Sequence, residues 1–139
     1  MSDGFVADAS VAVSWAALSQ SSAVTDRLLD DVASGTPFTV PVLWMFEVAN
    51  SLLMLTRRKR IDPGESTRAR GILRRLTPIL DDEGPRFALG EISDLAQKHG
   101  LSVYDATYLE LAIRKRLPLA TRDAALNKAA KRAGVLTLA

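Results

Sequence analysis

The sequence has no cysteine and a single histidine, His99. Disulfides and thiolate metal sites are therefore excluded. A Ser-His-Asp hydrolase is disfavoured too, because the one imidazole lies beside Gly100 at a predicted helix end, where a polar or cationic side chain is ordinary. The GxGxxG and Walker patterns are missing, which removes the usual cradle for a nucleotide cofactor. No apolar run reaches the roughly 18 residues of a membrane span. The opening Met1-Ser2-Asp3-Gly4 carries no basic segment, and Asp8 and Ser10 interrupt the apolar stretch that follows. No secretory signal is expected, and the default location is the cytoplasm.

What is present fits one globular domain over residues 1–139, with 47% hydrophobic residues. A chain of this length should bury roughly 68% of its unfolded surface, enough for a core without staples. Strand-like runs at Gly4–Ala7, Phe38–Val40 (ended by Pro41), Thr77–Leu80, Leu117–Ala120 and Val135–Leu138 alternate with helical stretches. Helices are predicted over Ser10–Leu18, Ser22–Ala33, Leu43–Arg58, Glu65–Leu76, Phe87–His99, Val103–Lys115 and Ala124–Ala133. In the Leu43–Arg58 helix the core face is read as Met45, Val48, Leu52 and Leu55, with Glu47, Asn50, Ser51 and Met54 around another side. Such alternation predicts an α/β domain, a three-layer α/β/α sandwich with a mainly parallel sheet, but does not give the strand order.

Four acids should meet in that architecture. Helices run back against the strands, so a helix starts at the carboxyl edge of the sheet, where α/β proteins place their sites. Asp8 ends the first strand, and Glu47 and Asp105 lie in the first turns of their helices. Asp123 follows the Leu117–Ala120 strand and opens the last helix. Each has a capping explanation as well: Asp8 as an N-cap, Glu47 as a dipole partner, Asp105 in a capping box with Ser102, and Asp123 behind a Thr121 cap. Capping does not require four acids at one edge. Crowded carboxylates repel unless a cation relieves them, and hard divalent ions prefer oxygen ligands. The chemistry that suits such a site is phosphodiester hydrolysis assisted by Mg²⁺ or Mn²⁺.

The residues carrying this pattern, Val6-Ala7-Asp8-Ala9-Ser10, Glu47 on a helix, Tyr104-Asp105-Ala106 and Leu119-Ala120-Thr121-Arg122-Asp123, resemble the four motifs of PIN domains. The VapC-like toxin branch of toxin–antitoxin systems is the nearest resemblance, and it runs from Phe5 to Leu138. It implies a parallel α/β/α sandwich and an endoribonuclease whose metal ligands and catalytic residues are Asp8, Glu47, Asp105 and Asp123. It makes Ser10 and Thr121 polar helpers. It also implies an RNA substrate, a small antitoxin partner and a homodimer. Some relatives carry one more acid after the fourth motif, where this chain has Ala124, Ala125, Leu126 and Asn127, so one metal ion or two is left open. The alternative is a non-enzymatic module, either receiver-like or an inactive PIN-like interaction domain. A receiver would usually pair acids after the first strand, whereas Asp8 precedes Ala9 and Ser10.

The 18 basic residues face 16 acids, a formal +2. With four acids gathered round a cation, 18 bases face 12 acids elsewhere, a balance of +6 that favours nucleic acid weakly. Candidate RNA contacts are Arg122, beside the acids, and Arg57, Arg58, Arg68 and Arg74 in the main basic segment. Trp15 and Trp44 are assigned to the core or an interface.

Overall fold

A computed structural model describes residues 3–139; Met1 and Ser2, which open the segment expected to carry no secretory signal, lie outside the described residues. Among those described, five strands form one sheet: β1 (Phe5–Ala7), β2 (Phe38–Pro41), β3 (Ile79–Asp81), β4 (Leu119–Ala120) and β5 (Thr137–Leu138). All neighbours pair in parallel in the order β3-β2-β1-β4-β5. The central strands are buried on both faces, with Phe5-Val6-Ala7 and Phe38-Thr39-Val40-Pro41 buried throughout, whereas the edge strands β3 and β5 are partly exposed. Pro41 is the last residue of β2 rather than a stop beyond it, pairing in register with Asp81 on β3.

Helices cover both faces. α1 (Ala9–Ala16), α2 (Ala23–Ala33), α3 (Trp44–Arg57) and α4 (Pro63–Arg74) pack together on one side. α5 (Ser93–His99), α6 (Val103–Lys115) and α7 (Ala124–Arg132) form the other layer. α1 is apolar nearly all round, and every residue of it but Ser10 is buried. The helix predicted over Phe87–His99 is broken. A 3-10 turn over Gly84–Phe87 leads into a π-turn at Ala88–Ile92, and regular α-helix begins only at Ser93. The fourth helix starts at Pro63 rather than Glu65, because Asp62 caps it with a bond from Glu65 N at 2.8 Å and proline suits the first helical position.

The aromatic rings of Phe5, Trp15, Phe38 and Trp44 pack with centroids 5.3–6.2 Å apart; Trp15 meets Phe5 and Phe38 edge-on, while Phe5 stacks on Phe38. Trp15 satisfies its indole N–H on Thr25 O at 2.8 Å. Both tryptophans are buried, whereas Met45 on the predicted core face of α3 is exposed.

The strand order places the site. Connections run outward from β1 to β2 and β3, then jump back to β4 on the other side of β1. The order reverses between β1 and β4, and a crevice opens outside the carboxyl ends of strands at such a switch point.

Candidate active site

Asp8 and the segment Thr121-Arg122-Asp123 leave β1 and β4 on the two sides of that crevice. Asp8 N donates to Ala120 O at 3.1 Å, carrying the strand pairing one residue past β1. The Asp8 carboxylate is buried and caps α1. Its Oδ1 accepts Val11 N at 3.2 Å and Ser10 Oγ at 2.6 Å, while Oδ2 accepts a short bond from Thr121 Oγ1.

The directions of these hydroxyl bonds are set by the backbone. Arg122 N donates to Ser10 Oγ at 2.9 Å, and Asp123 N donates to Thr121 Oγ1 at 3.0 Å. A backbone N–H only donates, so each hydroxyl must spend its own proton on Asp8. Both carboxylate oxygens therefore act as acceptors. Ser10 and Thr121 fix the rotamer of Asp8 and tie the loop after β4 to the end of β1. Thr121 does not cap the last helix as the sequence suggested; Asp123 does, with Oδ1 accepting Leu126 N at 2.8 Å.

The other two acids arrive from opposite helix layers. Glu47 lies in the first turn of α3 and accepts Tyr108 OH at 2.5 Å on Oε1. Asp105 lies in the first turn of α6, where Ser102 Oγ accepts its backbone N–H at 3.0 Å. Tyr108, one turn further along α6, has no place in the sequence reading. Its signal was the spacing of three from Asp105, which puts both on one helix face.

These acids feel one another. Burial raises the Asp8 carboxyl above its ordinary range against the bonds from Ser10 and Thr121. Burial also raises Glu47, and the charges of Asp105 and Asp8 add to it while Tyr108 opposes. Asp105 is raised by burial and then by the charge of Asp123. Burial and the bond to Glu47 push the Tyr108 hydroxyl far up, so it stays a proton donor to that carboxylate. Asp8 and Asp105 thus act by charge on Glu47, and Asp123 acts on Asp105.

The donor set is oxygen only, which suits a hard divalent cation. Among the described residues, no three of these acids stand close enough to form a ready-made metal cage. The charge coupling and this spacing point in different directions. The carboxylates crowd one another electrically without enclosing an ion by themselves.

The basic candidates separate in space. Arg122 Nη1 bonds Ser14 Oγ and Gln20 O, each at 2.6 Å, which braces the loop after β4 against α1. With Arg58, the C-cap of α3, it lines a cavity next to Ser10. Arg57, Arg68 and Arg74 are exposed on α3 and α4 and are not part of that lining. His99 lies in the last turn of α5.

The chain belongs to the PIN-domain family: residues 5–132 match the PIN domain. Solved structures of similar fold include PAE2754 from Pyrobaculum aerophilum, at 23% identity and TM-score 0.69, covering 99% of this chain and 92% of that one. FitAcB from Neisseria gonorrhoeae is similar at 17% identity and TM-score 0.62, over 97% of this chain and 96% of that one. VapBC2 from Rickettsia felis, solved bound to a DNA fragment from its promoter, is similar at 15% identity and TM-score 0.65, with 96% of each chain covered. At these identities the likeness is one of fold. No curated protein matches the sequence.

Proposed function

We propose that this PIN domain is a metal-dependent endoribonuclease and the toxin of a toxin–antitoxin pair. The observation that carries the nuclease reading is the convergence of Asp8, Glu47, Asp105 and Asp123 at the switch point, with three of them raised above their ordinary range. Among the described residues, no Lys or Arg forms an ion pair with any of these four carboxylates.

Asp8, aimed by Ser10 and Thr121, and Glu47, aimed by Tyr108, are the acids oriented by side-chain hydroxyls and would be the primary ligands of Mg²⁺ or Mn²⁺. Asp105 and Asp123 would complete the charge around it. A divalent ion held there supplies Lewis-acid polarisation of a phosphate oxygen and a more acidic water. The hydroxyls of Ser10, Thr121 and Tyr108 do not react in this scheme. They hold the acids in place, so that little reorganisation is needed as charge develops on the phosphate. Arg122, braced on Ser14 and Gln20, is placed to meet an RNA phosphate beside the acids.

The toxin role rests on the PIN family and on the fold shared with FitAcB and VapBC2, and it brings a small antitoxin as partner. A homodimer is part of the same reading. Phe46 and Tyr104, sequence neighbours of Glu47 and Asp105, are 79% and 64% exposed and offer apolar surface for a second chain. Membership of the PIN family sets the receiver-like alternative aside. The test is a mixed RNA pool incubated with and without EDTA. Cleavage should stop with EDTA and return on adding Mg²⁺ or Mn²⁺; full activity in metal-free buffer sinks the mechanism. Expression alone should arrest growth, and a cognate antitoxin should relieve it.

A further inference from the structure

Beside the acids lies a second feature that hydrolysis does not require. A cavity of about 530 Å³ opens between α1, α3 and the loop after β4. That is within the usual size of small-ligand pockets, roughly 300–1,000 Å³. Ser10 lines it, and the same Ser10 hydroxyl bonds Asp8, so the cavity adjoins the acidic edge directly.

Its lining has three kinds of surface and no acid. Arg58 and Arg122 are cations; Arg122 spends only Nη1 within the chain, and the Arg58 side chain has no partner among the described residues. Asn50 and Ser51 carry neutral donors and acceptors whose side chains are likewise unpaired among the described residues. Val13, Met54 and Leu55 give an apolar wall, with Met54 the kind of side chain that packs well against a ring. Cations for a phosphate, amide and hydroxyl groups for a base edge, and an apolar wall for a base face are what recognition of an unstacked nucleotide uses.

We propose that this cavity is a nucleotide subsite: it holds the RNA residue next to the scissile phosphate, with Arg58 and Arg122 on its phosphate and Asn50 reading its base. The assignment of RNA rests on the nuclease reading above. Asn50 lies three residues after Glu47 on α3, so one helix presents an acid to the cleavage site and a base reader to the cavity. Substrate choice would then be made one nucleotide away from the chemistry.

The experiment titrates the four ribonucleoside 5′-monophosphates separately into the full chain in EDTA and follows backbone amides by NMR. Saturable shifts are expected at Ser14, Asn50 and Ser51. The four nucleotides should differ in affinity by about fivefold or more, as expected for edge recognition of a base. Asn50→Ala should bring the four within about twofold of one another by removing that contact. Arg58→Gln should weaken all four alike, because phosphate contacts carry no base information. The amide spectrum reports directly that each variant is folded. Absence of saturable shifts at the cavity overturns the proposal, as do shifts that neither variant changes. A chain that cleaves RNA yet shows no such binding keeps the nuclease and loses the subsite. A chain that binds the nucleotides selectively but hydrolyses no RNA keeps the subsite and loses the nuclease.

Discussion

Helix α6 contributes to two clusters of acids. In its first two turns Asp105 and Tyr108 join Asp8, Glu47 and Asp123 at the switch point. In its last turns Glu110 and Arg114 meet Asp81 from β3, with Glu83 at 3.7 Å. Arg114 clamps both Asp81 oxygens at 2.9 and 2.8 Å, bonds Glu110 at 2.8 Å, and lies 4.9 Å from the centre of the Phe87 ring. Arg114 holds the Asp81 carboxyl below its ordinary range. At the switch point Asp8, Glu47 and Asp105 are all raised. One cluster carries its cation as a side chain. The other is arranged as though its cation comes from outside. The contrast separates a structural ion network from a site, although both are several acids converging from distant parts of the chain.

The strongest way to break the comparison is to remove the built-in cation. Arg114→Met should leave Asp81 and Glu110 as buried, uncompensated carboxylates, with side chains only 3% and 7% exposed. Loss of one partner of a buried pair costs about 3–5 kcal/mol, and urea melts should show it. A loss below about 1 kcal/mol would place Arg114 among ordinary surface pairs. The pH dependence sharpens the point. The Asp81 carboxyl is lowered in the fold, so its contribution is present above the unfolded value and disappears as pH falls through the folded one. The stability gap between wild type and Arg114→Met should therefore be full at neutral pH and shrink in strongly acidic buffer. A constant gap would show that the clamp acts by packing alone.

At the open cluster the same kind of change should act the other way. Asp8→Asn keeps the shape and the capping oxygen and removes one like charge. Cleavage should fall by more than the roughly 100-fold that loss of an outer-shell partner can reach. The melting temperature in EDTA should change little, because the relieved repulsion offsets the loss of the Oδ2 acceptor for Thr121. Near-normal turnover would return Asp8 to capping duty. Thr121→Val is milder. It leaves Asp8 charged but held through Oδ1 alone and leaves Asp123 N without an acceptor, so a loss of about 10–100-fold in activity is expected. An unchanged rate would show that Ser10 alone orients the acid.

How far this contrast was legible follows from where each contact lies in the chain. Strand ends and helix starts are local, so Asp8, Glu47, Asp105 and Asp123 could be assigned to one edge before any contact was known. Ser10 and Thr121 were found through the motifs around them. Pairings between distant residues were not legible: Tyr108 with Glu47 spans 61 positions, and Arg114 with Asp81 spans 33. The strand-like run was ended at Leu80, although Asp81 closes the edge strand and is buried on an arginine. Thr121 looked like a cap because threonine before a helix often is one, and only the position of Asp8 across the crevice shows where its proton goes. The π-turn at Ala88–Ile92 also escaped, since apolar spacing alone does not reveal a local change of helix pitch.

The smallest expected effect separates the arginines that line the nucleotide cavity from those that do not. Arg68 and Arg74 are exposed on α4, away from the lining that Arg58 and Arg122 share. If they track the RNA backbone, replacing both with Gln should weaken every RNA alike, because phosphate contacts position without specifying. The salt dependence of binding should then fall by roughly 0.7 in log–log slope per lost contact on a single strand. Stability should barely move, since Gln is a good helix former and both positions are exposed. Affinity is best measured in the Asp8→Asn background, where substrate survives the titration, across a salt series with and without the two replacements. Equal slopes would make α4 a solvated face and concentrate RNA binding at Arg58 and Arg122. A lower slope with unchanged discrimination between RNA sequences would divide the work: α4 holding the strand by charge, and the cavity beside Ser10 choosing the nucleotide.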